Sequence, residues 1–452
     1  MEQALNHVEV PFTFAVIGDA HFTPPEAIQS ERWRGDSGRP LETEEYVENV
    51  TYALKPMLDA VQSADPSFVV LTGDVVEGAG RDDRELEAGL SFFDGYGLPL
   101  FFARGNYEPE GTFERVILPY MGQHLGWTPE ERHHFFDVAG CRFVFLDAAS
   151  WEKRGGQYEW LADLLKRSQK LDLERIFLFG HYPIWPVYRA FFTDPDFQED
   201  LIDLMSQYPV DAYFCGHTHN QSVIQHRTKG LPALQFMSAP IGLSDELPIA
   251  LDRVQALLPD PDNLLAYWPG YLENTAPGWF MVRVDHQAAR VSWHHLNRGV
   301  EAVVEWSKKG EVTSFWQMVH PEDARLIDRD LGAVRRAFLR FCAWGGTQDE
   351  AQVFLNGKSI GRLPRGESYA SRRMELPAPL VQMENRVRIE TLEGRLTLGN
   401  LVIEAVLPGG RYVRTRPTGE LFTWWNRWDR WGMTGVKKLK VGRPLITMLS
   451  FR

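Results

Sequence analysis

Cysteine is scarce in this chain. Three thiols, Cys141, Cys215 and Cys342, are scattered over 452 residues. They are too few and too widely spaced for a disulfide framework, and no pair has the spacing of a thiolate zinc site. They are expected to be buried free thiols. Long apolar runs are also absent. No stretch of about 18 apolar residues is available to cross a bilayer. The start, Met1-Glu2-Gln3-Ala4, lacks the basic segment and apolar stretch of a secretory signal, so a cytoplasmic location is expected. Internal repeats and low-complexity tracts are missing too.

Positive charge is lacking where the rest of the sequence places the chemistry. The whole chain carries −13, but residues 1–297 hold 22 basic and 44 acidic groups, net −22. Residues 298–452 hold 26 basic and 17 acidic groups, net +9. The acidic part repels nucleic acid and acidic membranes, so a long polyanionic substrate is disfavoured. The basic part is expected to dock on the acidic part or on an outside anion.

What the chain does have is a composition of 44% apolar and 24% charged residues, and a length that calls for two or three domains. Short apolar runs at Phe12–Ile17, Phe68–Leu71, Leu98–Phe102, Phe143–Leu146, Ile176–Phe179 and Ala212–Cys215 read as strands buried on both faces. Helical patterns lie between them. One has Tyr46, Val47, Val50, Leu54, Met57, Leu58 and Val61 on one face, and another has Trp160, Leu161, Leu164 and Leu165. Such alternation predicts an α/β layered domain. The stretches Phe22–Leu41 and Gly242–Trp279 look like insertions beside a site.

Past residues 286–300 the pattern turns β-rich. Asn356-Gly357 between Val353-Phe354-Leu355 and Ser359-Ile360 predicts a hairpin, because Asn-Gly suits a turn with positive φ. Arg386–Glu390 and Leu401–Val406 are further strand candidates. The reading is a small β-sandwich over 298–452, with 1–297 as the first domain. Three of the tail indoles, Trp424, Trp428 and Trp431, have helical spacing, with Trp425 beside the first. They are expected to staple the tail to a core, with sugar stacking as the alternative.

Five motifs end apolar runs: Gly18-Asp19-Ala20-His21, Gly73-Asp74, Gly105-Asn106-Tyr107-Glu108, Gly180-His181 and Gly216-His217-Thr218-His219. Chemistry in α/β sheets collects beyond strand ends. Each Gly is expected to permit a tight turn. Two Asp, one Asn and four His form a donor set for two metal ions with one bridging carboxylate. Mixed nitrogen and oxygen donors without thiolate suit Mn²⁺, Fe²⁺ or Zn²⁺. Paired divalent ions serve above all in phosphoester hydrolysis. His133, His134, His294 and His295 fit no motif and are expected to be structural or superficial.

On these motifs, residues 10–297 resemble the calcineurin-like metallophosphoesterases. The resemblance implies a four-layer α/β fold, two mixed β-sheets flanked by helices, with the β-sandwich added at the C-terminus. It implies one ion on Asp19, His21 and His219, another on Asn106, His181 and His217, and Asp74 bridging. It also implies in-line attack on phosphorus by a metal-bound hydroxide, so Asp74, Asn106, Tyr107 and His181 are the catalytic candidates. Purple acid phosphatases add a Tyr ligand where this chain has Glu77, so an iron–tyrosinate site is not implied.

The family's third motif usually has His where this chain has Tyr107, and that His is taken to be the general acid. A phenol is a far weaker acid than imidazole. Family members without the His tend to be phosphodiesterases, which points to a small-molecule phosphodiester or anhydride. Glu108, His124 or a residue of the 22–41 loop are the candidate replacement acids. The segment Val353–Gly361 resembles a hairpin of galactose-binding-like modules, so a glycan contact is open beside a packing role. The rival readings are a phosphate- or glycan-binding protein that keeps the metal site without turnover, and a phosphomonoesterase or protein phosphatase.

Overall fold

The computed structural model describes residues 5–22, 54–76, 83–185, 194–217, 221–228, 231–238, 264–268, 278–295, 299–317, 328–344, 351–363, 371–408, 412–415 and 437–451. His219, Glu77, residues 23–41 and the tail tryptophans Trp424–Trp431 lie outside them.

The expected strands form, and they fall into two sheets. In the first, β1 (Phe12–Ile17), β2 (Val69–Leu71) and β3 (Leu100–Phe102) run parallel. Beyond β1 the sheet continues antiparallel. The second sheet holds β4 (His134–Val138), β5 (Cys141–Phe145), β6 (Arg175–Phe179), β7 (Ala212–Cys215), β8 (Gln221–Thr228), β9 (Leu231–Met237) and β10 (Leu264–Trp268), in the order β10-β8-β9-β7-β6-β5-β4. Strands β5, β6, β7 and β9 are parallel. β10 lies within Gly242–Trp279, so part of that stretch extends the sheet rather than only looping over a site.

The sheets face each other through phenylalanines. Phe14 of β1 stacks on Phe68 at 5.1 Å and meets Phe143 of β5 and Phe177 of β6 edge-on at 5.3 and 5.6 Å. Phe179 and Phe214 stack at 5.3 Å. These rings are 0% exposed and belong to one continuous core. Helices cover the outside, each with one apolar stripe turned inward. Lys55–Ser63 buries Met57, Leu58 and Val61, and Gly156–Ser168 buries Leu161, Leu164 and Leu165. Pro195–Gln207 starts on Asp194, whose carboxylate accepts from Asp196 N and Phe197 N at 2.8 and 3.1 Å. Tyr46, Val47 and Val50, placed on the first helical face from the sequence, lie outside the described residues. Cys141 and Cys215 are buried free thiols, as the spacing suggested, and burial pushes Cys141 up to about 12. No helix among the described residues is long and apolar enough to cross a membrane.

The first compact unit runs to Met318, not to residue 297. β11 (Gly278–Val284), β12 (Ala288–His295), β13 (Gly299–Ser307) and β14 (Val312–Gln317) extend the first sheet in consecutive antiparallel pairs. The change to strand-rich sequence near 286–300 marks antiparallel additions to the same sheet.

The second unit spans residues 319–452. One of its sheets has the order β18-β15-β20-β21, with β22 also on β20, and the other the order β17-β16-β19-β23. These strands are β15 (Arg336–Trp344), β16 (Ala351–Leu355), β17 (Lys358–Arg362), β18 (Ser371–Leu376), β19 (Glu384–Thr391), β20 (Arg395–Val406), β21 (Tyr412–Arg414), β22 (Lys437–Lys440) and β23 (Leu445–Ser450). Leu339, Phe341, Val353, Leu355, Ile389 and Ile403 share one core between the sheets. The Asn356-Gly357 turn joins β16 to β17 with φ of 50° and 83°, the two positive values that a two-residue hairpin turn requires.

Candidate metal centre

The loops after β1 and β2 run side by side. His21 N donates to Asp74 O at 2.9 Å and Phe22 N to Val75 O at 2.8 Å. This pairing places Asp19, His21 and Asp74 at one end of the first sheet. Thr72, just after β2, offers its carbonyl to His181 Nδ1 of the second sheet at 2.9 Å. His217 N donates to both oxygens of Asp19 at 2.9 and 3.0 Å. The facing sheets therefore bring the ends of β1, β2, β6 and β7 to one point.

The side chains meet there in two groups that share Asp74. One is Asp19, His21 and Asp74; the other is Asp74, His181 and His217. His21 Nε2 lies 3.9 Å from Asp74 Oδ2 and 4.0 Å from Asp19 Oδ1. His181 Nε2 lies 2.9 Å from Asn106 Oδ1, 3.1 Å from Asp74 Oδ2 and 3.2 Å from His217 Nδ1. An ion bonded at about 2.0–2.2 Å to each donor holds adjacent donors about 3–3.6 Å apart, so the His181 contacts are at ion-sharing distance and those of His21 lie slightly wider. His181 donating from Nδ1 to Thr72 O leaves its Nε2 lone pair turned to the other donors, the usual orientation of a metal-binding imidazole. Six of the seven ligand candidates are thus placed together, and His219 lies outside the described residues.

Burial shapes the electrostatics. Asp19, His21, Asp74 and His181 are at most 2% exposed. Burial pushes Asp19 up to about 6, with the negative Asp74 adding to the rise and His181 opposing it. Burial alone would also lift Asp74, but His181 beside it outweighs that and holds its carboxyl well below the usual range. His181 would be pushed down by burial, yet Asp74 and Asp19 hold it up at about 9. Two carboxylates in a dry site thus create a field that favours positive charge.

The glycines of the motifs act differently from the turn role expected of all five. Of the five motif glycines only Gly73 has a positive φ, at 102°; the other left-handed residues within the motifs are Asp19 (48°), His21 (44°), Asp74 (51°) and His217 (74°). Strain at four non-glycine ligand candidates in one cluster is the mark of a functional site. Gly105 and Gly216 instead make room. A Cβ on Gly105 would lie 2.2 Å from Asp74 Oδ1, and one on Gly216 would lie 2.3 Å from Asp19 Oδ2.

Glu108 is not positioned as a replacement acid. It is 0% exposed, and its oxygens accept from Val75 N at 2.8 Å, Gly105 N at 2.9 Å and Asp74 N at 3.0 Å. Burial, with Asp74 adding, pushes it up to about 7 against those hydrogen bonds. It is a clamp that joins the second and third motif loops. His124 stacks on Tyr120 at 4.2 Å and lies 3.6 Å from Asp94. Tyr107 N donates to Asp74 Oδ1 at 2.9 Å, and its ring meets His21 edge-on at 5.1 Å. His134 and His294 pack on aromatic rings, Phe145 at 4.7 Å and Trp279 at 5.3 Å.

Three neighbours were not singled out from the sequence. Buried Arg104 donates from Nε to Asp147 Oδ1 at 2.8 Å and from Nη1 to Glu108 O at 2.7 Å, which braces the loop that carries Asn106. Asp147 lies just beyond the end of β5, a place the strand-end rule could have flagged. Tyr182, next to His181, lies with its ring 4.4 Å from that of His217.

Residues 12–221 match the family model described as calcineurin-like phosphoesterase. The glycerophosphodiester phosphodiesterase of Enterobacter lignolyticus is 27% identical over 178 residues, 37% of this chain and 62% of that protein. Purple acid phosphatase 23 of Arabidopsis thaliana is 23% identical over 195 residues, 36% of this chain and 43% of that protein. The matches thus span about half the length of these relatives. A dimetal phosphatase from Danio rerio aligns at 15% identity over 68% of this chain and 100% of its own, with a TM-score of 0.44.

Proposed function

Residues 12–221 belong to the calcineurin-like phosphoesterase family, and we propose that the chain hydrolyses a phosphodiester or phosphoanhydride of a small molecule with two divalent ions. Its first unit has the fold of that family, two mixed sheets face to face with helices outside. Asp19, His21 and His219 would hold one ion, Asn106, His181 and His217 the other, and Asp74 would bridge. When bound, Mn, Fe or Zn ions there supply an activated water and neutralise charge on the phosphoryl oxygens.

The chain's own residues set the rest. The negative field of Asp19 and Asp74 retains the cations. The His181 Nδ1–Thr72 contact and the Glu108 clamp keep the donors from reorganising as charge develops on the substrate, which is where electrostatic catalysis gains most. Tyr107 carries the preference for diesters. Its backbone is tied to Asp74 and its ring lies against His21, so a phenol occupies the rim where an imidazole would be the better acid. A substrate whose leaving group departs without full protonation suits that rim.

Activity with Mn²⁺ on an aryl phosphodiester and on the matching aryl monoester tests this. Faster cleavage of the diester, abolished by chelation and restored by Mn²⁺, is expected. A clear preference for the monoester overturns the diester reading. Two bound ions with no hydrolysis of any ester would favour a binding protein.

A further inference from the structure

Five of the six placed donors are buried, and the sixth, Asn106, reaches solvent. Asp19, His21, Asp74 and His181 are at most 2% exposed and His217 is 8% exposed. Asn106 is exposed, and Tyr107 and Tyr182 are partly exposed. Among the described residues of the motif loops these three are the ones not buried, and they make the rim of the donor cluster. The two phenols stand against different ends of the cluster. Tyr107 lies on His21, at 5.1 Å, and Tyr182 lies on His217, at 4.4 Å.

Tyr182 is held for this place. Its carbonyl accepts from the Tyr213 hydroxyl of β7. The next turn is pinned by Gln235 of β9, whose Oε1 accepts from Ile184 N at 2.7 Å and Trp185 N at 3.0 Å while its Nε2 donates to Trp185 O at 2.9 Å. Gln235 is 0% exposed, so this loop is fixed from inside the sheet. The Tyr182 hydroxyl itself makes no hydrogen bond among the described residues. A phenol keeps its proton at neutral pH and is there a donor. A rigid loop thus presents an uncommitted donor beside the His181–His217 pair.

We propose that Tyr182 is a substrate-contacting residue, its phenol donating a hydrogen bond to a non-bridging oxygen of the bound phosphoester at the His217 end of the cluster. This rests on the phosphoesterase reading above. The chemistry recognised is a phosphoryl oxygen, from an ester or from inorganic phosphate. A hydrogen bond to a charged oxygen contributes roughly ten-fold or more in affinity.

Calorimetric titration of the Mn²⁺-loaded full chain with inorganic phosphate, wild type against Tyr182→Phe, tests it together with metal content and steady-state kinetics on an aryl phosphodiester. Tyr182→Phe keeps the ring against His217. It should weaken phosphate binding about ten-fold and lower kcat/KM about ten-fold or more, with metal content and melting temperature unchanged. Unchanged phosphate affinity and kinetics would overturn the assignment. Loss of metal or of fold by Tyr182→Phe also overturns it, since Tyr182 would then support His217 and not the substrate. A wild-type protein that holds two ions yet neither binds phosphate nor cleaves any ester defeats the phosphoesterase reading itself, and the role of Tyr182 with it.

Discussion

The backbone N–H of His217 donates to both oxygens of the Asp19 carboxylate, at 2.9 and 3.0 Å, across 198 positions of sequence. One residue follows β1 and the other β7, so this contact ties the two sheets together at the candidate metal centre. Asp19 therefore serves the fold and the cluster at once. Gly216, directly before His217, has no side chain because a Cβ there would strike the same carboxylate.

Tyr107→His should restore a proton donor at the rim. Turnover on diesters with poor alkyl leaving groups should rise about ten-fold or more, and turnover on activated aryl diesters should change little, because general acid catalysis contributes about 10²–10⁴-fold where the leaving group needs it. Lower turnover on every substrate would mean that the Tyr107 phenol has a positive role of its own.

Gly105→Ala should displace Asp74. The new methyl would lie 2.2 Å from Asp74 Oδ1 and 2.3 Å from Asp74 N, and the backbone atom cannot swing aside. Overpacking of this kind costs about 1–3 kcal/mol, and metal content by elemental analysis should fall with it. Gly156→Ala, where nothing lies within 4 Å of the added carbon, is the control and should keep both stability and metal. Full metal occupancy in Gly105→Ala would show that the packing here is looser than described.

Glu108→Ala should cost about 3–5 kcal/mol in chemical denaturation, because three buried backbone N–H groups of Asp74, Val75 and Gly105 lose their acceptor together. Glu108→Gln keeps a carbonyl oxygen and should lose clearly less. If both variants were as stable as wild type, Glu108 would not be the clamp.

His134→Phe should make the protein less sensitive to acid. Burial holds the His134 imidazole down at about 3, against 6.5 for the free group. Between those values the unfolded chain binds a proton that the folded one does not. Stability from the neutral ring is therefore complete above pH 6.5 and is lost as pH falls toward 3. From pH 7 to pH 5 this amounts to about 2 kcal/mol at roughly 1.4 kcal/mol per unit below 6.5. Phe should preserve the stacking on Phe145. Denaturation at the two pH values should show the variant losing about 2 kcal/mol less than wild type; an equal loss would remove His134 as a cause.

Much of the first unit was legible because its signals are local. A strand buried on both faces needs an unbroken apolar run, and a loop at its end needs a few particular residues, so Phe12–Ile17 and Asp19 could be read together. The Asn356-Gly357 hairpin was legible for the same reason, since a two-residue turn constrains its own residues. The end of the first unit was not, because β13 and β14 resemble any antiparallel strands and only their partners reveal which sheet they extend. Nor were the separate tasks of the glycines and of Glu108, which depend on atoms from another loop lying within 3 Å.

The sequence by itself determined which donors are available, two Asp, one Asn and four His, and that the third motif carries a phenol in place of imidazole. Tertiary structure decided how those placed among the described residues meet. The face-to-face packing of two sheets gathers the termini of β1, β2, β6 and β7, the glycines leave room for the carboxylates, and the rim is left to Asn106, Tyr107 and Tyr182. The physical reason is range. Side-chain type and turn preference are written within a few residues, whereas distance and burial arise between segments that the chain separates by 33 to 198 residues.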